Sequence, residues 1–295
     1  MSKKSLYFEC FSGASGDMIA AALLDLGVDE KKLLKALQSL PLSGYRIELT
    51  DVKKSEVHAK DFNVILDQEN HDHDMDYLYG HLKDDTSREE NVHGHMQGHQ
   101  SHGMHHEEMH GHEHSDGHGH SHHHMHRGMK EIREIIAGSA LSDGAKAIMT
   151  RIFNTVAEAE AAVHETTVEE VHFHEVGAVD SIVDVAAIAV CLDELGIEDI
   201  IPSVVYEGQG TVRCQHGILP VPVPAVAEIM RRSGLKMHVM PLDGEFITPT
   251  GAAVLAAMAT ERELPESYEI KRIGVGAGKR VYEGSGVLRV MLIES

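Results

Sequence analysis

Residues 171–195 read VHFHEVGAVDSIVDVAAIAVCLDEL, with His172, His174 and Glu175 together ahead of an apolar run that carries Asp180 and Asp184. On a helix, a spacing of four places two carboxylates on one side, one turn apart. There they repel each other unless a positive charge lies between them. Imidazoles followed by such a pair are suitable donors for a divalent metal. Acidic groups in the first turns of a helix are also favoured by its dipole alone, so the pair has a purely structural reading as well.

A second set lies at Cys214 and His216. On a predicted strand they alternate and share a face, offering a soft thiolate beside an imidazole; a cysteine that simply packs in the core is the ordinary alternative. Two other stretches could receive an anion. SGASGD, holding Ser12, Gly13, Ser15, Gly16 and Asp17, joins a strand to a helix, where backbone N–H groups point outward. It matches neither the dinucleotide fingerprint nor the phosphate loop with its lysine, and Ser12 or Ser15 could be a simple N-cap. In GEFITPTGA, Thr248 or Thr250 can cap a second helix, with Glu245 just outside it.

The elements that must hold these groups follow from periodicity. A strand over 6–11 leads through SGASGD into a helix ending at Gly27. A helix over 29–40 carries Leu33, Leu34 and Leu37, and strands over 45–52 and 57–66 complete a β-α-α-β-β start. Further on come a helix over 128–136 and a long one over 145–164, whose terminal His164 suits the helix dipole. The helix after Glu175 carries Val179, Val183, Ala187 and Val190 and ends at Gly196. Residues 200–206 are β-rich, and Pro220, Pro222 and Pro224 keep the chain extended until Pro224 opens a helix to Arg232. Strands over 270–279 and 287–293 close the chain. The pattern predicts an α/β fold, a mixed β-sheet with packed helices, formed by 1–70 and 127–295 with a sub-boundary near 171.

Residues 71–126 differ abruptly, holding 18 of the 24 histidines among Gly, Met, Asp and Glu. Without apolar periodicity the segment is expected to be a disordered His-rich insertion. Closely spaced imidazoles bind nickel, zinc or copper without fixed geometry, which suits capture or buffering and not catalysis.

Across its 295 residues the chain has 47 acidic against 26 basic residues, a formal charge of −21. That balance argues against nucleic acid or an anionic membrane as partner and favours cations. Three cysteines outside any CxxC pair do not suit a disulfide framework, the start lacks a signal-peptide apolar run, and the longest apolar run is too short to span a bilayer. A reducing cytoplasm is the expected compartment. A homo-oligomer is left open.

Taken together, SGASGDM, the His-rich insertion, HFHEVGAVDSIVD, GQGTVRCQHGILPVPVPA, EFITPTGAA and GVGAGKR resemble the nickel-pincer-cofactor nickel-insertion proteins, in order and through nearly the whole chain outside the insertion. The resemblance implies a nickel chelatase, or cyclometallase, that places Ni2+ into pyridinium-3,5-bisthiocarboxylic acid mononucleotide with one Ni–C and two Ni–S bonds, for lactate racemase-type enzymes. It implies CTP with Mn2+ or Mg2+, bound through a C-terminal domain that full-length members carry after the point where this chain reaches LRVMLIES. This chain then corresponds to the N-terminal part, with that domain as a fused or separate partner.

Forming a Ni–C bond removes a ring proton, so a base is needed near the metal. Glu175 and His174 are the candidates, with His172, His174, Asp180, Asp184, Cys214 and His216 as metal donors. Ser12, Gly13, Ser15, Gly16, Asp17, Thr248 and Thr250 are candidates for the substrate phosphate. The contrasting readings are a non-catalytic nickel metallochaperone or store and a divalent-metal hydrolase using an activated water.

Overall fold

The computed structural model describes residues 3–67, 127–173, 175–214, 216–280 and 285–295. The predicted insertion at 71–126 and the candidate base His174 lie outside the described residues.

Six strands form a mixed sheet: β1 (Lys4–Glu9), β2 (Tyr45–Lys54), β3 (Val57–Leu66), β6 (Asp199–Pro202), β11 (Glu269–Ala277) and β12 (Val287–Glu294), in the order β2-β3-β11-β12-β1-β6. β1 lies between β12, antiparallel with Lys4 opposite Glu294, and β6, parallel with Leu6 opposite Ile200. Strand alternation sorts the side chains. Leu6, Phe8, Leu288, Val290 and Leu292 join the main core, while Tyr7, Met291, Ile293 and Ile201 form a smaller cluster with Tyr268.

Helix α1 (Gly16–Asp25) is buried along nearly its whole length, and its Ala20, Ala21 and Ala22 permit close packing. It lies on β11, β3 and β12. The glycines of GVGAG make this approach feasible, since a Cβ at Gly274 would strike the Ala22 carbonyl and one at Gly276 the Met18 carbonyl. Beyond α1 pack α2 (Glu30–Leu37) and α5 (Val179–Leu195). α4 (Asp143–Val163) contacts α5, α3 (Met129–Gly138), α6 (Pro224–Ser233) and α7 (Pro249–Met258).

Capping follows the expected chemistry. Asp29 accepts from the N–H groups of Lys31 and Lys32 at 2.9 and 3.1 Å, Ser142 from Ala145 at 3.1 Å, and Thr248 from Gly251 at 3.2 Å. Each such cap stabilises by about 1 kcal/mol. Pro224 occupies the first turn of α6, and Gly196 ends α5 in the left-handed region. Ser15 holds the N-cap position of α1, yet its side chain does not cap the helix.

One expected arrangement is corrected. Cys214 and His216 do not alternate along a single strand. β8 (Thr211–Cys214) ends at Cys214, β9 (Gly217–Pro220) begins at Gly217, and these two residues pair across a tight hairpin. Gly217, with φ 91°, takes a backbone conformation that side-chain-bearing residues avoid. His216 therefore belongs to the turn. Two smaller sheets, β7 (Val205–Gln209) with β10 (Met237–Asp243) and β4 (Arg127–Gly128) with β5 (His172–Phe173), complete the described strands.

Candidate functional site

Three helix starts meet where the sheet's glycine-rich turns converge. A Cβ on Gly16, the first residue of α1, would lie 2.8 Å from Asp184 Oδ2 and 3.0 Å from the Thr250 methyl. The first turns of α1 and α7 and the second turn of α5 are thus in mutual contact. The connection continues upstream, where Ala14 N–H donates to the Phe246 carbonyl at 3.1 Å and Thr248 N–H to the Ala14 carbonyl at 3.1 Å. Gly13 N–H is used by the Cys10 carbonyl at 3.2 Å. The Gly13 and Ala14 amides therefore serve the fold, while Ser12 meets Ser285 through their hydroxyls at 3.0 Å. The Ser15 hydroxyl bonds to Asp17 Oδ1, which also accepts from Met18 N–H at 2.9 Å.

Four aspartates and two lysines share this locus. Burial pushes the Asp184 carboxyl well above its ordinary range, and Asp17 and Asp180 add repulsion that Lys279 only partly offsets. Asp180 is raised by burial and Asp17, against a 2.9 Å donation from Ser181 N–H and the charge of Lys279. Asp61 is also raised, first by burial and then by Asp17, with Lys279 and Lys54 opposing. Burial lowers Lys54, whose ammonium donates to the Gly278 and Arg280 carbonyls. Although part of Asp184 reaches solvent, its Oδ1 is shut off and lacks any hydrogen-bond partner. A buried carboxylate oxygen without a donor is costly. A divalent cation is the group that would relieve both this orphaned acceptor and the mutual repulsion. Asp184 Oδ1 is the atom such an ion would satisfy.

The GKR turn links this locus to a second one. Lys279 faces the aspartates, whereas Arg280 donates to Glu245 Oε2 at 2.9 Å and to its carbonyl at 3.0 Å. Glu245 is raised by burial and by Glu175, with Arg280 opposing. Cys214 is pushed up to about 11 by burial, reinforced by Glu175 and opposed by the His216 N–H. It is therefore a thiol at neutral pH. Behind this wall Glu207, fully buried on β7, accepts from Gly208, Phe246 and Ile247 N–H at 2.8, 2.7 and 3.3 Å through Oε1, while its Oε2 has no partner. Burial raises Glu207 to about 7 despite those donors.

The metal donors expected from sequence are distributed over three places. Asp180 and Asp184 belong to the aspartate cluster. Cys214 and His216 stand at the hairpin with Glu175. His172 pairs with Gly128 in the short β4–β5 ladder, near Glu131. Among the described residues no three His, Cys, Asp or Glu side chains already converge to hold one metal ion. Gly16 and Thr250 lie against each other, and Ser15 and Asp17 share a hydrogen bond. Sequence reasoning missed Asp61, Lys54, Lys279, Glu207 and Arg280. A lone acid in the apolar, glycine-rich VVYEGQG was the available signal for Glu207.

The chain was compared with known proteins. The nickel insertion protein family matches residues 6–295. Proteins described as pyridinium-3,5-bisthiocarboxylic acid mononucleotide nickel insertion protein are 45% identical over 290 residues in Alkaliphilus metalliredigens, 36% over 287 in Acetivibrio thermocellus and 44% over 291 in Clostridium acetobutylicum. The alignments cover 98%, 97% and 98% of this chain but 60%, 60% and 64% of those relatives. The chain thus spans about three fifths of the relatives' length. No solved structure matches it. Among the described residues no helix is long and apolar enough to cross a membrane. By the extent of the family match, this chain belongs to the nickel insertion proteins.

Proposed function

We propose that the chain inserts nickel into pyridinium-3,5-bisthiocarboxylic acid mononucleotide, the compound named in its relatives' descriptions. The observation that carries this reading is the orphaned Asp184 Oδ1 within the aspartate cluster at three converging helix starts. Ni2+ is cargo in this reaction. Asp17, Asp180 and Asp184 provide oxygens for a divalent cation, and Cys214, held beside Glu175 and Glu245, is placed to meet a thiophilic one. The substrate's thiocarboxylates supply the two sulfur bonds. The ring carbon forms its bond to nickel with the electron pair of its C–H bond, and Glu175 takes the released proton. The starts of α1 and α7, with Lys279, offer the phosphate its positive end.

CTP with Mn2+ or Mg2+ enters through a C-terminal domain, fused or separate, and the metallated product goes to lactate racemase-type enzymes. In class terms the activity is a lyase, acting in the cytoplasm. The test incubates the purified chain with Ni2+, CTP, Mn2+ and the nickel-free mononucleotide, with and without a separately made C-terminal domain, and follows the metallated product by mass. Product that requires Asp184 supports the reading. Product formed equally well by Asp184→Asn removes its structural basis. The competing metallochaperone reading draws on the histidines of 71–126, and tight nickel binding without product under either condition would favour it.

A further inference from the structure

The turn after β11 reaches three parts of the site. Lys279 faces Asp61, Asp180 and Asp184, Arg280 holds Glu245, and the Ser285 hydroxyl meets that of Ser12 at 3.0 Å. Gly278 N–H donates to the Gly286 carbonyl at 3.0 Å and closes the neck of this turn. A side chain from another strand sits at that neck. The Lys54 ammonium donates to the Gly278 carbonyl and, at 2.9 Å, to the Arg280 carbonyl. A Cβ on Gly286 would lie 3.3 Å from its Nζ. The two carbonyls bracket the Cα atoms of Lys279 and Arg280, so one cation fixes the backbone that aims both side chains. Bonds from a charged donor are stronger than neutral ones.

The mount of Lys54 suits this task. It ends β2 opposite Val57, and the two residues between them, Ser55 and Glu56, have φ of 48° and 62°. Positive φ at both positions gives the hairpin turn whose twist matches its strands, so the side chain leaves from a defined platform. Lys54 is half-buried, and Asp17 and Asp61 lie within reach of its charge. We propose that Lys54 is a positioning residue of the insertion site, clamping the turn so that Lys279 meets the substrate phosphate while Arg280 restrains Glu245. This rests on the reading that Lys279 offers its charge to that phosphate, and it adds a residue that touches no substrate itself.

The test has two readouts on the full chain. Titration calorimetry with the nickel-free mononucleotide, without Ni2+ or CTP, measures affinity. Amide exchange read by mass spectrometry over 275–280 measures the hold on the turn. Lys54→Met, which keeps the stem and removes the donors, should weaken the mononucleotide by about tenfold or more and speed exchange at Gly278. Lys54→Arg, which keeps charge and donors, should restore most of both. A residue acting through Lys279 loses its effect once Lys279 is gone, so Lys54→Met should change affinity little in a Lys279→Met background. Circular dichroism verifies that each variant is folded. Equal affinity of parent and Lys54→Met, or effects of the two substitutions that simply add, overturns the positioning role. Unchanged exchange in Lys54→Met overturns the clamp whether or not the mononucleotide binds. Absence of binding by the parent, alone or with a separately made C-terminal domain, defeats the insertion reading instead.

Discussion

A methyl group on Gly16 would stand 2.8 Å from Asp184 Oδ2, so the start of α1 rests directly on the carboxylate side of α5. Gly16→Ala forces that contact apart and displaces the Thr250 methyl as well. Overpacking of this kind costs about 1–3 kcal/mol, which lowers the melting midpoint by several degrees in a chain of this size. Calorimetry checks the prediction, and an unchanged midpoint contradicts the tight contact.

Asp184 carries the clearest pH dependence. Its folded carboxyl is held well above its ordinary value, so the folded state binds the proton more tightly than the unfolded chain. The metal-free protein therefore loses stability from this group as pH rises above about 4. Asp184→Asn keeps the neutral shape, flattens that decline and abolishes stabilisation by an added divalent cation. Urea melts between pH 4 and 8 measure both effects. A decline as steep in the variant as in the parent would refute the assignment.

Glu207 offers a contrasting pair of variants. Its folded value of about 7 again exceeds the unfolded one, so its contribution to stability declines between about pH 4 and 7. Glu207→Gln can still accept the three N–H donors, and it should be as stable as the parent at low pH and more stable at pH 8. Glu207→Ala leaves the Gly208, Phe246 and Ile247 donors stranded, at a cost of about 1–3 kcal/mol for the first alone. Equal stability of the two variants at pH 8 would mean that the carboxylate does not pin the 244–247 loop.

Arg280 and Glu245 are only 18% and 6% exposed. Removing the cation alone from such a pair costs about 3–5 kcal/mol because a carboxylate is left buried without compensation. Arg280→Met should be strongly destabilised, and Arg280→Met combined with Glu245→Gln should recover most of the loss. A double-mutant cycle in urea decides this, and simple additivity would contradict the coupling.

The fold was legible where chemistry is local. Strand, SGASGD turn and helix form at the start, Gly196 ends α5, Pro224 opens α6 and Thr248 caps α7, because each depends on a few adjacent residues. Cys214 and His216 were misassigned because an alternating polar pair before a glycine reads equally as a strand or as a hairpin tip. What sequence could not convey was convergence. Asp61, Asp184 and Lys279 come from three separate elements, and only sheet order and helix packing bring them to one place.

The position of β1 has a consequence for how the molecule is made. The strand that delivers SGASGD is bounded on both sides by partners from far along the chain, β6 at Asp199–Pro202 and β12 at Val287–Glu294. During synthesis it must therefore wait, unpaired along the β12 side, until residue 294 has left the ribosome, since such long-range pairing forms late and slowly. The turn carrying Lys279 and Arg280 likewise gains its anchor only when β12 closes against β11. A nascent chain thus exposes scattered aspartates, and Asp17, Asp61, Asp180 and Asp184 come together only with the finished sheet.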